Sequence, residues 1–189
     1  CLMRLKKFNF KIVNSTNDIA IKIIKSSKCK SGIIVAEKQR KGRGQYGKKW
    51  TSYKGNLLVS IFFKVEKIHL SLKQITYLNC LLVKKLLSFY YKKKINIKKP
   101  NDLLINKKKI SGILQEIVNN YEETFIIVGI GINLVRSPYI IDNPTTNLYE
   151  ITKKKFDIND VTYKLKSIYE NFIPKIQKNN FKKLNKNLI

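Results

Sequence analysis

Three apolar runs of strand length, at 102–105, 110–118 and 124–130, follow one another across very short turns. Asn106-Lys107-Lys108 separates the first two, and Tyr121-Glu122-Glu123 separates the last two. A parallel neighbour needs a crossover of about a dozen residues or more, so these turns restrict the runs to antiparallel hairpins. Further strand candidates lie at 32–37 and 57–63, with a short one at 95–98. Helical spacing appears in three places. Ile19, Ile23 and Ile24 follow Ser15-Thr16-Asn17-Asp18, where Ser15 and Asp18 have the spacing of a capping box. Residues 70–91 carry Leu72, Ile75, Leu78, Leu82, Leu86 and Leu87 along a long amphipathic helix, with Cys80 as a small buried thiol. Val161, Leu165, Ile168, Tyr169 and Phe172 mark a last helix beginning at Asp157 or Asn159; Pro174 interrupts it, and a Lys/Asn-rich tail follows. Pro138 and Pro144 mark a loop region, and there is no internal repeat. Strands outnumber helices and hairpins outnumber crossovers. The fold class predicted is α+β, a mixed, mainly antiparallel sheet flanked by helices, in a single domain over 1–189.

Charge is the largest compositional bias: 39 Lys and Arg against 12 Asp and Glu give a formal +27. Such a charge invites a nucleic-acid reading. The lysines are scattered over the whole length, however, and Lys, Asn and Ile are over-represented together. No RNP-like aromatic motif, basic heptad helix or Cys/His finger is present, so no specific nucleic-acid partner is predicted. Apolar content of 43% is that of a globular chain. Cys1, Cys29 and Cys80 are widely spaced with no C-x-x-C, which fits a reducing compartment without a disulfide framework or zinc site. The one histidine, His69, excludes a Ser/His/Asp arrangement unless it serves itself, and it reads as a loop residue at a strand-to-helix junction. No run reaches the roughly 18 apolar residues of a membrane span, and no signal peptide is evident. A cytoplasmic chain without a membrane partner is expected.

Three of the eight glycines, the only tryptophan and one of the few arginines fall within Gly42-Arg43-Gly44-Gln45-Tyr46-Gly47-Lys48-Lys49-Trp50. A bidentate, permanently charged Arg inside a glycine loop suits a phosphate or an acyl-phosphate. The spelling is also that of a dinucleotide loop, G-x-G-x-x-G, preceded by the apolar run Ile33-Ile34-Val35-Ala36. That loop must open a helix whose N-terminus holds the pyrophosphate. Residues 48–54 are basic and polar without an apolar period, and 56–63 read as a strand, so the dinucleotide reading fails. A plain surface hairpin loop stays open.

Three other patches carry unusual residues. Ser15-Thr16-Asn17 offers two hydroxyls and an amide, either to cap a helix or to meet a polar ligand, and the two are compatible. Lys98-Lys99-Pro100-Asn101-Asp102 sets an acid beside a proline between lysines, which suits a turn or a site that orients an amine. Lys109 begins the next strand, where an inward-facing lysine needs an anion, and Gly112 within that strand marks a close approach of ligand or backbone. Gly129-Ile130-Gly131-Ile132-Asn133 ends an apolar strand in a polar amide, a candidate ligand for Mg²⁺ or its water shell.

In this order the patches resemble the biotin–protein ligase family. The resemblance rests on Ser15-Thr16-Asn17, the loop ending in Trp50, Gly55-Asn56-Leu57, Lys98-x-Pro100-Asn101-Asp102, Lys109-x-x-Gly112-Ile113-Leu114-x-Glu116 and Gly129-x-Gly131-Ile132-Asn133, over about residues 15–134. It implies the biotin/lipoate ligase fold, related to class II synthetases, and two half-reactions in one site. Biotin and ATP, with Mg²⁺, would give biotinyl-5'-AMP, and a lysine of a biotin carboxyl carrier protein domain would then take the biotin. By resemblance Lys109, Arg43 and Asp102 are catalytic. Ser15, Thr16, Asn17, Gln39, Gly42, Arg43, Gly44, Lys109 and Gly112 would line the biotin pocket. Arg43, Trp50, Lys98, Asn101, Lys109 and Asn133 would serve the nucleotide, with Asn133 at the metal.

The chain departs from the family pattern at Lys99, where a Trp is usual, and at Gln45 and Lys48, where Arg is frequent. No helix-turn-helix precedes Ser15, and the chain stops soon after its last helix. The expectation is therefore a catalytic domain without the DNA-binding domain or the small C-terminal β-barrel, acting as a monomer or weak homodimer. A lipoate- or octanoate-attaching ligase of the same fold is the nearest rival. The transferase of that group needs a nucleophilic Cys, which neither Cys29 nor Cys80 supplies. A basic relic without activity is the rival from another class.

Overall fold

Side-chain alternation along the strands determines how the layers assemble. The structure, a computed structural model, describes residues 3–66, 70–176, 178–186 and 188. In chain order the elements are β1 (Lys6–Val13), α1 (Thr16–Ser26), β2 (Ser31–Gln39), β3 (Leu57–Val65), α2 (Leu72–Ser88), β4 (Asn96–Lys98), β5 (Asp102–Ile105), β6 (Lys108–Asn120), β7 (Glu123–Ile132), α3 (Leu148–Thr152), α4 (Ile158–Ile176) and α5 (Phe181–Lys186). The seven strands form one sheet in the order β1-β2-β3-β7-β6-β5-β4. Only β1 and β2 run parallel; all other neighbours are antiparallel. The mixed, mainly antiparallel sheet expected from the hairpins is present.

Successive side chains of a strand point to opposite faces. On β7, Ile126, Val128, Ile130 and Ile132 enter the large core with α2 and α4, while Phe125 and Ile127 pack under α1. On β3, Leu57, Val59, Ile61, Phe63 and Val65 join the large core, and Phe62 faces α1. Burying a side chain of this size stabilises by about 1.5–3 kcal/mol, so this alternation fixes the register of both strands. One face of the sheet is covered by α2 and α4, and α5 packs against α2. The other is covered by α1 over part of its area, and the candidate site lies beside α1. Among the described residues no helix is long and apolar enough to cross a membrane.

Several local expectations need correction. Strand β1 was not predicted, although Phe8 and Phe10 alternate with polar residues and pack toward α1. Its other side chains are mostly exposed and rich in Lys, as befits a guarded sheet edge. Ser15 is the N-cap of α1 but its side chain makes no capping bond. Gln39 Oε1 accepts from the Thr16 amide at 2.8 Å instead, and Asp18 turns to Arg43. The capping box forms at α2, between Ser71 and Gln74. Leu72, assigned to the apolar face of that helix, is half exposed as its first residue. Pro174 does not interrupt α4, which continues to Ile176. The proline sits in the last turn, where it removes one amide donor, and Ile173 and Ile176 still reach the core. Helix α3 lies beyond the expected loop at Pro138 and Pro144, and the Lys/Asn-rich tail contains α5, which is anchored by buried Leu184 and by Phe181 against Tyr77. Cys80 is fully buried, as expected. His69 lies outside the described residues.

Candidate active site

Three glycines let neighbouring side chains approach the sheet closely beside the first turn of α1. Gly112 on β6 and Gly129 and Gly131 on β7 share the α1-side face, and Gly112 pairs with Gly131 across the ladder. A Cβ on Gly129 would stand 2.5 Å from Asn17 Oδ1, and one on Gly112 would stand 2.9 Å from the Trp50 ring and 3.2 Å from Lys109 Nζ. A Cβ on Gly131 would overlap the Trp50 indole. The missing side chains let Trp50 and Asn17 lie directly on the sheet, at the floor of a cleft of about 390 Å³. The close approach anticipated at Gly112 is real, and the group that approaches is Trp50.

The glycine loop forms one wall. It closes on itself as a miniature hairpin: Trp50 N donates to Gly42 O at 2.9 Å, Gly44 N donates to Lys48 O at 2.6 Å, and Arg43 bridges to Lys49. A short 3₁₀ turn, Gln45–Gly47, forms the tip, with Tyr46 at φ 54 and Gly47 at φ 73. Both residues lie in the left-handed region, which Gly47 adopts without steric penalty. Gly42 lies at the neck, where a Cβ would stand 2.6 Å from Trp50 O, and it is not among the residues lining the cleft. The loop is thus a hairpin, and it delivers Trp50 to the floor of the cleft.

A buried polar cluster forms the second wall. Thr16 Oγ1 and the Thr16 amide donate to Gln39 Oε1, and Ser60 Oγ donates to Thr16 Oγ1 at 2.7 Å. Asn17 Nδ2 donates to Glu116 Oε2 at 2.6 Å. Ser15, Thr16 and Asn17 are all buried at this wall, so capping position and cleft lining are compatible, as anticipated. Ser60 was not anticipated. Its only sequence signal is a lone hydroxyl within an otherwise apolar strand.

The third wall carries the charges. Lys109 Nζ lies 2.8 Å from Asp102 Oδ1 and 5.5 Å from the centre of the Trp50 ring. That carboxylate oxygen receives no directed hydrogen bond, so the contact is one of charge, with both side chains partly exposed to the cleft. Pairing of Asp102 with Gly112 brings the two motifs together. Asn101 secures the turn, since Nδ2 donates to Ile113 O at 2.7 Å and its own carbonyl accepts from Ile113 N. Cys80 packs beneath this turn, and burial, reinforced by the Asp102 charge, pushes its thiol up to about 12. Lys98 lines the mouth, and Lys99 lies 5.9 Å from the Tyr77 ring.

Two predicted site residues behave differently. Arg43 is held bidentately by Glu116, at 3.0 Å from each oxygen, and reaches Asp18 at 2.7 Å. Hydrogen bonding to Glu116 raises its guanidinium further above its ordinary value. Asn133 is buried outside the cleft lining, accepting from Asn56 and donating to Thr146 O at 3.2 Å. Asn56 in turn accepts from the Leu134, Val135 and Arg136 amides and fixes the exit of β7. Among the described residues no three His, Cys, Asp or Glu side chains gather as a metal cluster. Both ends of the Asn133 amide are engaged within the protein. The segment after β7 also contributes to the cleft: Lys109 N donates to Pro144 O, which brings Ile140 and Asn143 to the mouth. Prolines gave the loop but not its destination.

The sheet and this cleft define a class. Residues 9–133 match the model of the biotin/lipoate A/B protein ligase family, and the chain belongs to that family. Among its relatives are the bifunctional ligase/repressor BirA of Escherichia coli, 29% identical over 78% of this chain, and biotin–protein ligase 2 of Arabidopsis thaliana, 30% identical over 80%. The chain spans about half the length of these curated relatives, 46% and 48% respectively. Biotin protein ligase from Aquifex aeolicus, solved with biotin and ATP, superposes with a TM-score of 0.79 at 30% identity, over 97% of this chain and 76% of that one. The Leishmania major enzyme with biotinyl-5-AMP, at 21% identity and TM-score 0.77, shares the fold.

Proposed function

We propose that the chain is an ATP-dependent, AMP-forming ligase that makes biotinyl-5'-AMP and transfers biotin to a lysine of a carrier domain. The observation that carries this reading is the cleft in which Lys109 and Asp102 stand beside a floor built on Gly112, Gly129 and Gly131. The Trp50 ring and the Asn17 carboxamide lie on that backbone, so an acyl ligand would seat against them while its carboxylate meets Lys109. In the first step a biotin carboxylate oxygen attacks the α-phosphorus of ATP, and the bond to the pyrophosphate oxygen breaks. Magnesium belongs with the nucleotide, arriving as its complex. Such a transfer needs alignment and charge neutralisation more than covalent help. Lys109 supplies the cation, and Asp102 keeps its ammonium from swinging into solvent.

In the second step a carrier lysine amine attacks the acyl carbon, and the bond to the AMP oxygen breaks. Asp102 would accept the proton that the amine sheds. Ser15, Thr16, Asn17 and Gln39 would bond the polar end of biotin, with Gly44 on the loop above it. Trp50, Lys98 and Asn101 would bound the nucleotide. A mixed anhydride hydrolyses readily in water, so a loop folded over the cleft has a clear use.

Exchange of labelled pyrophosphate into ATP tests the first step without a carrier. Exchange should require biotin, and Lys109→Ala should lower it by about 10²–10³, the scale of one preorganised electrostatic donor. Normal exchange by Lys109→Ala would refute the role given to Lys109.

A further inference from the structure

Arg43 is in the loop, yet its guanidinium is spoken for. In a chain with 12 acids against 39 basic residues, two acids converge on this one side chain. Glu116 comes from β6 and grips both terminal nitrogens at 3.0 Å; Asp18 comes from the first turn of α1 and takes one of them at 2.7 Å. Glu116 is itself oriented by Asn17, whose carboxamide lies over Gly129. Bidentate Arg–carboxylate pairs fix direction as well as distance, which a Lys cannot do. Arg43 is also the residue that bridges to Lys49 across the neck of the loop, next to the Trp50–Gly42 bond. The three side chains thus tie the loop to both α1 and the sheet at the point where Trp50 enters the cleft.

We infer that Asp18 and Glu116 are positioning residues: through Arg43 they clasp the Gly42–Trp50 loop over the cleft and so retain the activated acyl group. The retention half of this statement rests on the proposed function; the clasp itself does not. Neither acid touches the floor or Lys109. The clasp opens when Glu116 is neutralised and loosens when Asp18 is, the loop detaches at its neck, and the Trp50 ring lifts from Gly131.

Trp50 is the only tryptophan, so its fluorescence reads the loop directly. Glu116→Gln and Arg43→Gln should raise the acrylamide quenching constant of the protein alone about twofold or more, with a red-shifted emission, as a half-buried indole becomes fully wet. Asp18→Asn should raise it less, and the Glu116→Gln/Arg43→Gln double variant should match the single ones, since all break one contact. Asp18→Asn leaves the Asn17–Glu116 bond in place and serves if Glu116→Gln fails to fold. Wild-type quenching in the acid variants, with unchanged far-UV circular dichroism, would overturn the clasp. A rise in Arg43→Gln alone would overturn it too, because Arg43 would then be acting through other partners. With biotin, Mg-ATP and an apo carrier domain, the variants should release severalfold more AMP per carrier modified than wild type. An unchanged ratio alongside raised quenching would overturn retention. If wild type forms no AMP at all, the proposed function fails while the fluorescence result on the clasp stands.

Discussion

A single methyl group at Gly131 should be one of the most damaging small changes in the chain. The added Cβ would overlap the Trp50 indole, and the obstacle is a large ring already packed on Gly112 and beside Lys109. Something must move, and the ring is the part free to move. Gly131→Ala should lower biotin-dependent pyrophosphate exchange by about 10²-fold, the cost of an ångström-scale misplacement, while far-UV circular dichroism stays native. Exchange at the wild-type rate would show that the Trp50–Gly131 contact is not part of the working site. At this scale the sequence was legible where chemistry is local. Asp102 beside Pro100 and Lys109 at a strand start pointed to a charged site, and the two meet at 2.8 Å. What could not be read was who engages Arg43. Asp18 and Glu116 lie 25 and 73 residues away from it, and only the packing of α1 on the sheet brings them together. Asn133 shows the opposite case. A strand-end amide suits a ligand in the abstract, but Asn56 and Thr146 claim it.

Elements were legible in proportion to how local their causes are. The turns at Asn106-Lys107 and Tyr121 are fixed by adjacent residues with positive φ, and the hairpins they join follow directly. Strand β1 owes its existence to its parallel pairing with β2 across α1, and α3 and α5 are too short to announce themselves by periodicity. The two helix starts give a sharper lesson. Ser15 and Ser71 both look like caps, but only Ser71 bonds a backbone amide through its side chain. Leu70 and Ile75, on either side of that cap, are both buried and complete it as a staple. Ser71→Ala should therefore cost about 1 kcal/mol in urea unfolding, the usual worth of a cap. Ser15→Ala should show no such capping loss, because Gln39 serves the first amide of α1. Equal losses at the two positions would contradict this division.

For the whole molecule the question is what +27 does. It does not select a fold, since the lysines lie mostly on the surface and the two cores are apolar. At the cleft mouth Lys48, Lys49, Lys98 and Lys99 add a positive field, while the nearby acids Asp102, Asp18 and Glu116 are each paired. An acidic carrier surface would be steered toward such a mouth. Raising salt from about 50 to about 300 mM should lower kcat/KM for the carrier by about tenfold, because screening shortens the reach of the field. A salt-independent rate would remove charge from the encounter. The proposed activity leaves one covalent product, which can be weighed. The protein is incubated with Mg-ATP, an apo biotin carrier domain and either biotin or lipoate, and the carrier is then examined by mass spectrometry. The predicted result is a gain of one biotin, less a water, on a single lysine, with AMP and pyrophosphate released. A gain with lipoate alone, or no gain with either acid, would contradict it.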